Sequence, residues 1–417
     1  MVEKPHILVI GAGFGGLEAA FYLRMRMPEA RITIVSEKST FLYRPDTIYI
    51  PFGLDPEKIK ISLPHPLQLK QIDFVQDRVL EIDPENKLVI GERGQLPYDY
   101  LIVATGAGVR MEEIPGLAAH AHTIWTPEGM LELRAALHEM VAASRSRRQQ
   151  VLFLVPPNNK WSTPLYEIAL MLETWLRRNG YRDAVELTWT TVEAAYLEAF
   201  GPRVHDVVCE EFEKRGISAW TKMVVQEIGL EEVRYESGER LPYDLLVALP
   251  PYIGATPFPG LPADDRGFLQ TEMATRQVVG HPDIYAVGDA GDFPVKQAFL
   301  AFLQADAAAE HLASHLLGSE PQFAFDPVSM ALMEQFDKAT FAQVPLEVSG
   351  DPEQPVRLRR DAEEMYRVGS GPAWRLGKKL FGAYLPWRYE AGQPFHAGLP
   401  WKGVEAGLKV MAGVLAD

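Results

Sequence analysis

Cysteine is nearly absent from this sequence of 417 residues, because Cys209 is the only one. A single thiol cannot form an intrachain disulfide, a redox-active cysteine pair or a thiolate-rich metal site. Cys209 lies in the segment HDVVCEEFEKRG, where a small buried helix residue is the simplest interpretation. The composition therefore excludes cysteine pairs within the chain, and we predict no metal site.

Positive charge and long apolar runs are also scarce. The net charge is −15, which argues against nucleic acid as a partner. No apolar run approaches the roughly 18 residues that a membrane-spanning helix needs. The segment MVEKPHILVIGAG leads directly into a strand pattern and leaves no room for a signal peptide, so we expect a cytoplasmic protein.

A glycine turn follows the first predicted strand. HILVIGAGFGGLEAAFYLRMR has the pattern of a strand, a turn and a helix, with Gly11, Gly13 and Gly16 in G-x-G-x-x-G spacing. The first glycine permits the tight turn, the second lets backbone approach a pyrophosphate, and the third lets helix pack on strand. RITIVSEK then predicts a second strand ending in Glu37, whose carboxylate can bind an adenosine ribose. Together these features predict a dinucleotide site, although Glu37 alone could be an ordinary surface residue.

The chain contains an internal repeat. LPYDYLIVATGAG, residues 96–108, recurs as LPYDLLVALPPY, residues 241–252, each time after a stretch rich in strand formers. The second copy belongs to a unit that opens with VLFLV and a helix, but the turn between them is PPNNKWST, without glycine. We interpret the repeat as a duplicated nucleotide-type unit whose second copy has lost its phosphate turn. Two chance copies of a common strand pattern are the alternative.

A third motif comes late in the chain. DIYAVGDAGDF predicts a strand that ends near Gly288 and Asp289, and a long alanine-rich helix pattern follows it. An acid at this position can reach a polyol or ribose, or it can simply cap the helix.

With GAGFGG, Glu37, ATG and AVGD in this order, the chain resembles the flavoprotein oxidoreductases with two dinucleotide-binding domains. The resemblance implies that FAD lies over the glycine turn, with Glu37 at the adenosine ribose and Asp289 at the ribityl chain and pyrophosphate. The full set of cofactor-binding residues that it implies is Gly11, Gly13, Phe14, Gly16, Glu37, Lys38, Tyr43, Pro45, Val79, Ala104, Thr105, Gly106, Gly288, Asp289 and Lys296.

Within that group the chain looks most like sulfide:quinone oxidoreductases and the flavoprotein subunit of flavocytochrome c sulfide dehydrogenase. The segments FLYRPDTIYIPFG, NNKWSTPLYEIALML and VKQAFLAFLQA carry this resemblance. It implies that Lys296 lies beside the pyrimidine end of the flavin, where an ammonium favours the reduced anion. A solvated surface lysine is the alternative.

The chain departs from that family at its cysteines. Trp161 stands where the family carries its substrate-attacking cysteine, and the later family cysteine falls near Ala331. Without these thiols the persulfide relay that takes electrons from sulfide cannot run. We expect Trp161 to cover one face of the flavin instead.

The C-terminal region is basic and aromatic. From residue 365 to residue 410 the net charge is +5, so the rest of the chain carries −20. Residues 373–417 interleave aromatic and cationic side chains, which suits the headgroup boundary of an anionic bilayer. We therefore predict peripheral attachment to the inner face of the cell membrane, with packing on its own domain or in a homodimer as the alternative. The side chains concerned are Trp374, Leu376, Leu380, Phe381, Tyr384, Leu385, Trp387 and Trp401, with Arg375, Lys378, Lys379 and Arg388.

These patterns predict an α/β protein with two Rossmann-like domains and a C-terminal amphipathic region. The expected boundaries are 1–115 with 275–325 for the FAD domain, 116–274 for the second domain and 326–417 for the C-terminal region. The favoured function is an FAD-dependent oxidoreductase that passes electrons from a small donor to a quinone. The alternatives are a type II NADH:quinone oxidoreductase and a catalytically degenerate flavin-binding subunit.

Overall fold

The computed structural model describes residues 5–352 and 354–416. The helices in these residues are α1 (Phe14–Arg26), α2 (Pro64–Leu69), α3 (Leu117–His120), α4 (Pro127–Ala143), α5 (Thr163–Arg178), α6 (Pro202–Arg215), α7 (Ala298–Leu317), α8 (Pro372–Glu390) and α9 (Gly398–Leu415).

The strands in the described residues are β1 (His6–Ile10), β2 (Arg31–Ser36), β3 (Thr40–Leu42), β4 (Lys60–Ser62), β5 (Asp73–Gln76), β6 (Val79–Asp83), β7 (Leu88–Gly91), β8 (Gln95–Pro97), β9 (Tyr100–Val103), β10 (Ala107–Val109), β11 (His122–Thr123), β12 (Gln149–Val155), β13 (Val185–Thr191), β14 (Ser218–Trp220), β15 (Val225–Ile228), β16 (Glu232–Tyr235), β17 (Arg240–Pro242), β18 (Leu245–Ala248), β19 (Tyr252–Gly254), β20 (Gln277–Val278), β21 (His281–Ala286), β22 (Val328–Glu334), β23 (Ala339–Val348), β24 (Val356–Leu358) and β25 (Arg367–Gly371).

Two sheets of mainly parallel strands form the frame. The first has the strand order β20-β21-β9-β1-β2-β5, in which only β20 runs antiparallel to its neighbour. The second has the order β11-β18-β12-β13-β14 and is parallel throughout. All residues of β1 are buried, as expected for strands covered by helices on both faces.

The repeat found in the sequence is also a repeat of structure. Strands β6, β7 and β8 form an antiparallel meander that leads into β9, and β15, β16 and β17 form one that leads into β18. Strands β9 and β18 then take matching places beside β1 and β12, the first strand of each unit. The strands that follow, β10 and β19, pair antiparallel with each other and join the two units.

The C-terminal region is built on a third sheet. Strand β23 pairs antiparallel with β22, β24 and β25. Helix α8 packs against this sheet through Trp374, whose indole stacks on Phe341 with ring centroids 4.2 Å apart. Because Trp374 is only 1% exposed, the helix begins as part of the protein core.

A buried ion cluster ties this third sheet to the second unit. The guanidinium of Arg215 lies 2.7 Å from Glu173 on α5, 3.1 Å from Glu211 on α6 and 3.0 Å from Asp337 in the β22–β23 turn. It also donates to the Gln335 side chain at 2.8 Å. Since β22 carries residues that line the cavity described below, this cluster helps to position the site.

Cys209 lies on α6, as the sequence predicts, but its predicted burial is wrong. The residue is half-buried, and its sulfur lies 3.4 Å from Nε2 of His205. Partial burial raises the pKa of the thiol, with the carboxylate of Asp206 acting in the same direction.

Candidate functional site

A cavity of about 920 Å³ opens where the two units and the C-terminal region meet. It runs from the turn after β1, between the first unit and the second, to the inner side of α8. The predicted site residues that line it are Gly11, Gly13, Phe14, Glu37, Lys38, Tyr43, Pro45, Val79, Ala104, Thr105, Gly106, Trp161, Gly288, Asp289 and Lys296. Gly16 lies outside the lining.

The glycine turn leaves room for a ligand. Gly11 has φ of +98°, and a Cβ there would overlap the carbonyl oxygen of Ala104. A Cβ at Gly16 would overlap the carbonyl oxygen of Gly11, so this glycine allows α1 to pack closely on β1. A Cβ at Gly13 would meet no protein atom within 4 Å, and it would stand in the cavity at the start of α1.

The carboxylates of Glu37 and Asp289 both line this part of the cavity. Glu37 is exposed just after β2. Asp289 follows β21, and its carboxylate has no hydrogen-bond partner within the described residues. Burial raises the pKa of Asp289, while the nearby charges of Lys296 and Arg44 act in the opposite direction. An unpaired, half-buried carboxylate that lines a cavity is suited to bind hydroxyl groups of a ligand.

Lys296 belongs to the buried wall of the cavity. Its side chain donates to the carbonyl oxygen of Gly291, and its nitrogen lies 3.8 Å from the ring centroid of Phe268. Burial lowers the pKa of Lys296 to about 7, although Asp289 acts to raise it. The side chain can therefore change protonation state close to neutral pH. The alternative of a solvated surface lysine is wrong, since Lys296 is 4% exposed.

Trp161 and Ala331 also line the cavity. The indole of Trp161 packs edge-on against Phe200 with ring centroids 5.5 Å apart, and Ala331 belongs to β22. The two positions where the resembling family has cysteines thus face the same cavity, and here they carry an aromatic ring and a methyl group.

The turn of the second unit is built differently from that of the first. Residues 11–13 separate β1 from α1, whereas residues 156–162 separate β12 from α5. The side-chain amide of Asn158 donates to Glu113, and the backbone carbonyl of Asn158 accepts from the backbone N–H of Tyr252 at 3.0 Å. Arg266 holds the same Glu113 at 2.9 Å. Protein groups therefore occupy this turn, and Pro164 removes one N–H at the start of α5.

Sequence reasoning missed the residues at the α8 end of the cavity. Glu167 on α5 and Lys378 on α8 form a salt bridge there, and Lys378 also donates to the carbonyl of Leu332 at 2.8 Å. Burial raises the pKa of Glu167, and the charge of Lys378 opposes this shift. Glu167 stood within NNKWSTPLYEIALML, but its partner is remote in sequence and no local pattern joins them. Apolar side chains complete this end: Phe299, Phe302, Phe381, Leu385 and Phe395.

The structure corrects the interpretation of the C-terminal cations. Arg375 pairs with the buried Glu334 at 2.8 Å, and Lys378 pairs with Glu167. Arg388 is 5% exposed and donates to the carbonyl oxygens of Pro394 and Ala397. These three side chains are bound within the protein and cannot face lipid headgroups. Arg375 and Lys378 compensate the charges of buried carboxylates, whereas Arg388 supplies hydrogen bonds to backbone carbonyls.

The apolar side chains of the same region differ in exposure, and Phe381, Tyr384 and Trp401 are half-buried. Trp374 and Leu385 are buried, whereas Leu376, Leu380 and Trp387 are exposed on α8. On α9 the exposed apolar residues are Leu399, Val410, Val414 and Leu415. Among the residues described, none of the helices combines the length and apolarity needed to cross a bilayer.

Comparison with known proteins agrees with this architecture. Residues 5–146 match the family model of the pyridine nucleotide-disulphide oxidoreductases. The sulfide-quinone reductase of Aquifex aeolicus (strain VF5) is 31% identical over 237 residues, which cover 55% of this chain and 54% of that protein. The external alternative NAD(P)H-ubiquinone oxidoreductase B1 of Solanum tuberosum mitochondria is 23% identical over 324 residues, covering 69% of this chain and 55% of that protein. The matches thus span about half the length of these relatives.

The likeness in three dimensions extends further. The X-ray structure of the sulfide:quinone oxidoreductase from Aquifex aeolicus superposes with a TM-score of 0.86 at 23% identity. The superposition covers 97% of this chain and 96% of the other, so the C-terminal sheet and helices share the fold as well.

The fold and the glycine turn are those of a protein with two dinucleotide-type units, and residues 5–146 match the pyridine nucleotide-disulphide oxidoreductase family model. The predicted α/β fold class is confirmed, and so is the resemblance to sulfide:quinone oxidoreductases. The single cysteine agrees with the predicted lack of that family's redox thiols. The same matches support the predicted enzyme class, an FAD-dependent oxidoreductase.

Proposed function

We propose that this protein binds FAD and passes electrons from a small donor to a quinone. The observation that carries the proposal is the continuity of the cavity. A glycine turn with room for a diphosphate at one end is joined to a largely apolar chamber at the other. Bound FAD would supply two-electron redox chemistry between these ends.

The residues of the first unit fit a dinucleotide. Gly13 leaves open space at the start of α1, where free N–H groups and the helix dipole favour a diphosphate. Asp289 offers an unpaired carboxylate to polyol hydroxyls, and exposed Glu37 offers one to a ribose. In this proposal the protonated side chain of Lys296 places a positive charge in the buried wall, where it stabilises negative charge that develops nearby. Lys296 can also release its proton near neutral pH, because its pKa is about 7.

The α8 end of the cavity suits an apolar acceptor. Phe302, Phe381 and Phe395 supply aromatic surface, and the Glu167–Lys378 pair supplies a proton donor that is itself held in place by the Leu332 carbonyl. A quinone takes up protons as well as electrons, so a buried ion pair beside an apolar chamber matches its chemistry. The names of the two curated relatives, which act on quinone and ubiquinone, support this acceptor.

The turn of the second unit argues against NADH as the donor. Asn158 in this turn is hydrogen-bonded to Glu113 and Tyr252, and the turn presents no glycine to a phosphate. The absence of cysteine near Trp161 and Ala331 argues equally against a persulfide relay from sulfide. We therefore propose a donor that needs neither a nicotinamide cradle nor a thiol.

Anaerobic mixing tests the donor. In stopped-flow experiments on purified holoprotein, we expect NADH to bleach the flavin absorption at least about 100-fold more slowly than in an enzyme with a glycine turn, because about 3 kcal/mol of phosphate binding is missing. Sulfide is expected to be equally slow.

Three outcomes separate the alternatives. Rapid bleaching by NADH would establish a type II NADH:quinone oxidoreductase and contradict the proposal. Rapid bleaching by sulfide would require a route without cysteine. If a non-physiological reductant such as dithionite reduces the flavin and a short-chain ubiquinone does not reoxidise it, the protein is a flavin-holding subunit.

We also propose that α8 and α9 touch a membrane surface through their exposed apolar side chains. Replacing Leu376, Leu380 and Trp387 with serine is expected to weaken binding to anionic liposomes about 1000-fold or more and to abolish flotation, because each exposed side chain would lose about 1.5–3 kcal/mol of burial in the bilayer. A matched control replaces the exposed Leu69, Leu230 and Leu317 with serine and should float like the wild type. Equal flotation of both triple variants would contradict the proposal and favour a protein partner for these helices.

A further inference from the structure

Three ionisable side chains meet beneath the wall of the α8 end of the cavity. Glu18 comes from α1, Asp306 from α7 and His396 from residues 391–397, the connector between α8 and α9. Carboxylate oxygens and a ring nitrogen of the three lie within 4.8 Å of one another. Glu18 is 0% exposed and Asp306 is 4% exposed. In the described part of the chain no lysine or arginine forms an ion pair with either carboxylate.

The hydrogen bonds of this cluster hold the connector. Glu18 accepts from the backbone N–H groups of Phe395 at 2.7 Å and His396 at 3.2 Å, and from the hydroxyl of Tyr389 at 3.2 Å. Asp306 Oδ2 lies 2.7 Å from His396 Nδ1. The connector is thereby fixed to the two packed helices α1 and α7 of the first unit.

Two carboxylates this close in a dry site cannot both be ionised without a compensating cation. His396 does not supply the charge, because burial lowers its pKa to about 4 and leaves the ring neutral at pH 7. Burial raises the pKa of Glu18 to about 8, with the charge of Asp306 as the second cause. Burial also raises the pKa of Asp306 to about 8, and its hydrogen bond with Glu18 acts against this.

Other titratable groups around the cluster do not supply a positive charge to compensate the two carboxylates. Tyr389 and Tyr384 remain neutral because burial raises the pKa of each. Glu310 is already bound by Arg26 at 3.0 Å and by the hydroxyl of Tyr22 at 2.8 Å. Glu405 is a further negative charge that acts on His396. The compensating positive charge is therefore a proton on the carboxyl pair.

The connector also forms part of the cavity wall. The ring of Phe395 stacks on Phe302 with centroids 4.6 Å apart and an interplanar angle of 14°, and both rings line the cavity. His396 packs edge-on against Phe299, which lines it too, at 5.2 Å. On its other side the connector is held by Arg388, which donates to the carbonyl oxygens of Pro394 and Ala397.

We propose that Glu18, Asp306 and His396 are positioning residues, and that a proton shared by the two carboxyl groups keeps the connector seated and Phe395 in place at the acceptor end of the cavity. Loss of that proton leaves two adjacent negative charges in a dry site, and the connector moves away so that water can reach them. The role in acceptor binding rests on the proposed function, whereas the proton-dependent seating does not.

The direction of the pH effect follows from the raised pKa. When the connector is open, the two carboxyl groups are solvated and lose their protons near their ordinary pKa; when it is closed, they keep a proton until about pH 8. Opening therefore becomes about tenfold more favourable for each pH unit between about pH 5 and 8, and levels off above that range.

Hydrogen exchange of the FAD-loaded full chain tests the seating. Protection of residues 391–397, corrected for intrinsic exchange rates, is expected to fall about tenfold per pH unit up to pH 8 in the wild type. The double variant Glu18→Gln/Asp306→Asn keeps oxygen acceptors for the same donors but carries no ionisable carboxyl, so its protection should be independent of pH. Arg388→Met is the matched control: it should lower protection at every pH and keep the wild-type slope.

The outcomes distinguish the two proposals. A wild-type slope in the double variant would overturn the shared proton, and so would a stoichiometric divalent metal that the double variant loses. Binding of a short-chain ubiquinone, measured by quenching of flavin fluorescence, should weaken with pH in the wild type and not in the double variant. If the connector opens with pH while quinone binding stays constant, the proton-dependent seating stands and the position of the acceptor site is wrong.

Discussion

Replacing Gly13 with valine is expected to remove FAD from the protein and leave its fold intact. The backbone at Gly13 has φ of −84° and ψ of −163°, an extended conformation that valine adopts readily. The new Cβ would meet no protein atom within 4 Å, so the apoprotein should melt within a few degrees of wild-type apoprotein. The same side chain stands where a diphosphate must approach the backbone.

The expected loss of FAD affinity is on the order of 100-fold or more, about 3 kcal/mol. It is measured as the flavin absorption retained after purification and as the dissociation constant of added FAD. Gly94→Val, in an exposed turn where a Cβ also meets nothing within 4 Å, is the control and should bind FAD normally. Gly11→Ala differs from both because it strains the turn, so it should lower the stability of the apoprotein itself. Full FAD content in the Gly13→Val variant would contradict the assignment of this turn as the cofactor site.

Replacing Arg215 with methionine is expected to destabilise the protein by about 3 kcal/mol, since the change removes the buried cation between Glu173 and Glu211. Each carboxylate then keeps a more exposed partner, Arg177 for Glu173 and Lys338 for Glu211. The free energy of unfolding in urea measures the effect.

Lys214→Met is a matched control one residue away: Lys214 is exposed and, within the described residues, its ion pair is with exposed Glu210, so no measurable change is expected. An equal effect of both substitutions would show that the buried cluster adds nothing specific to the junction of the third sheet with the second unit.

The first unit could be predicted well because its signals are local. A buried apolar strand, three spaced glycines and a helix occupy consecutive residues. In the structure the backbone of the glycine turn packs closely against the backbone of Ala104. The repeat of LPYD segments likewise predicted two equivalent strands, which take matching places in the two sheets. Patterns of residues that are close together in the sequence were sufficient to predict these features.

The C-terminal region could not be predicted in the same way. Its cations suggested a lipid surface, but Arg375 and Lys378 neutralise carboxylates that lie 41 and 211 positions earlier in the chain. Burial and long-range pairing decide whether a cation faces solvent, and neither is encoded in local composition. The role of Glu18 could not be predicted from the sequence either, because its partners are remote in sequence. Glu18 lies within the glycine-turn helix, and its partners Asp306 and His396 are brought to it only by the packing of α1, α7 and the connector.

The pairing of β10 with β19 constrains how a molecule can enter the interior. The backbone of residues 107–109 is hydrogen-bonded to that of residues 252–254. Because these are equivalent segments of the two units, the pairing joins the two units directly. A hinge motion that separated the two units would have to break the hydrogen bonds between β10 and β19. A shift of the segment around Phe395 would break none of these hydrogen bonds. An apolar ligand is therefore expected to enter the cavity beside α8 and α9, on the side where the leucines and the tryptophan of these helices are exposed to solvent.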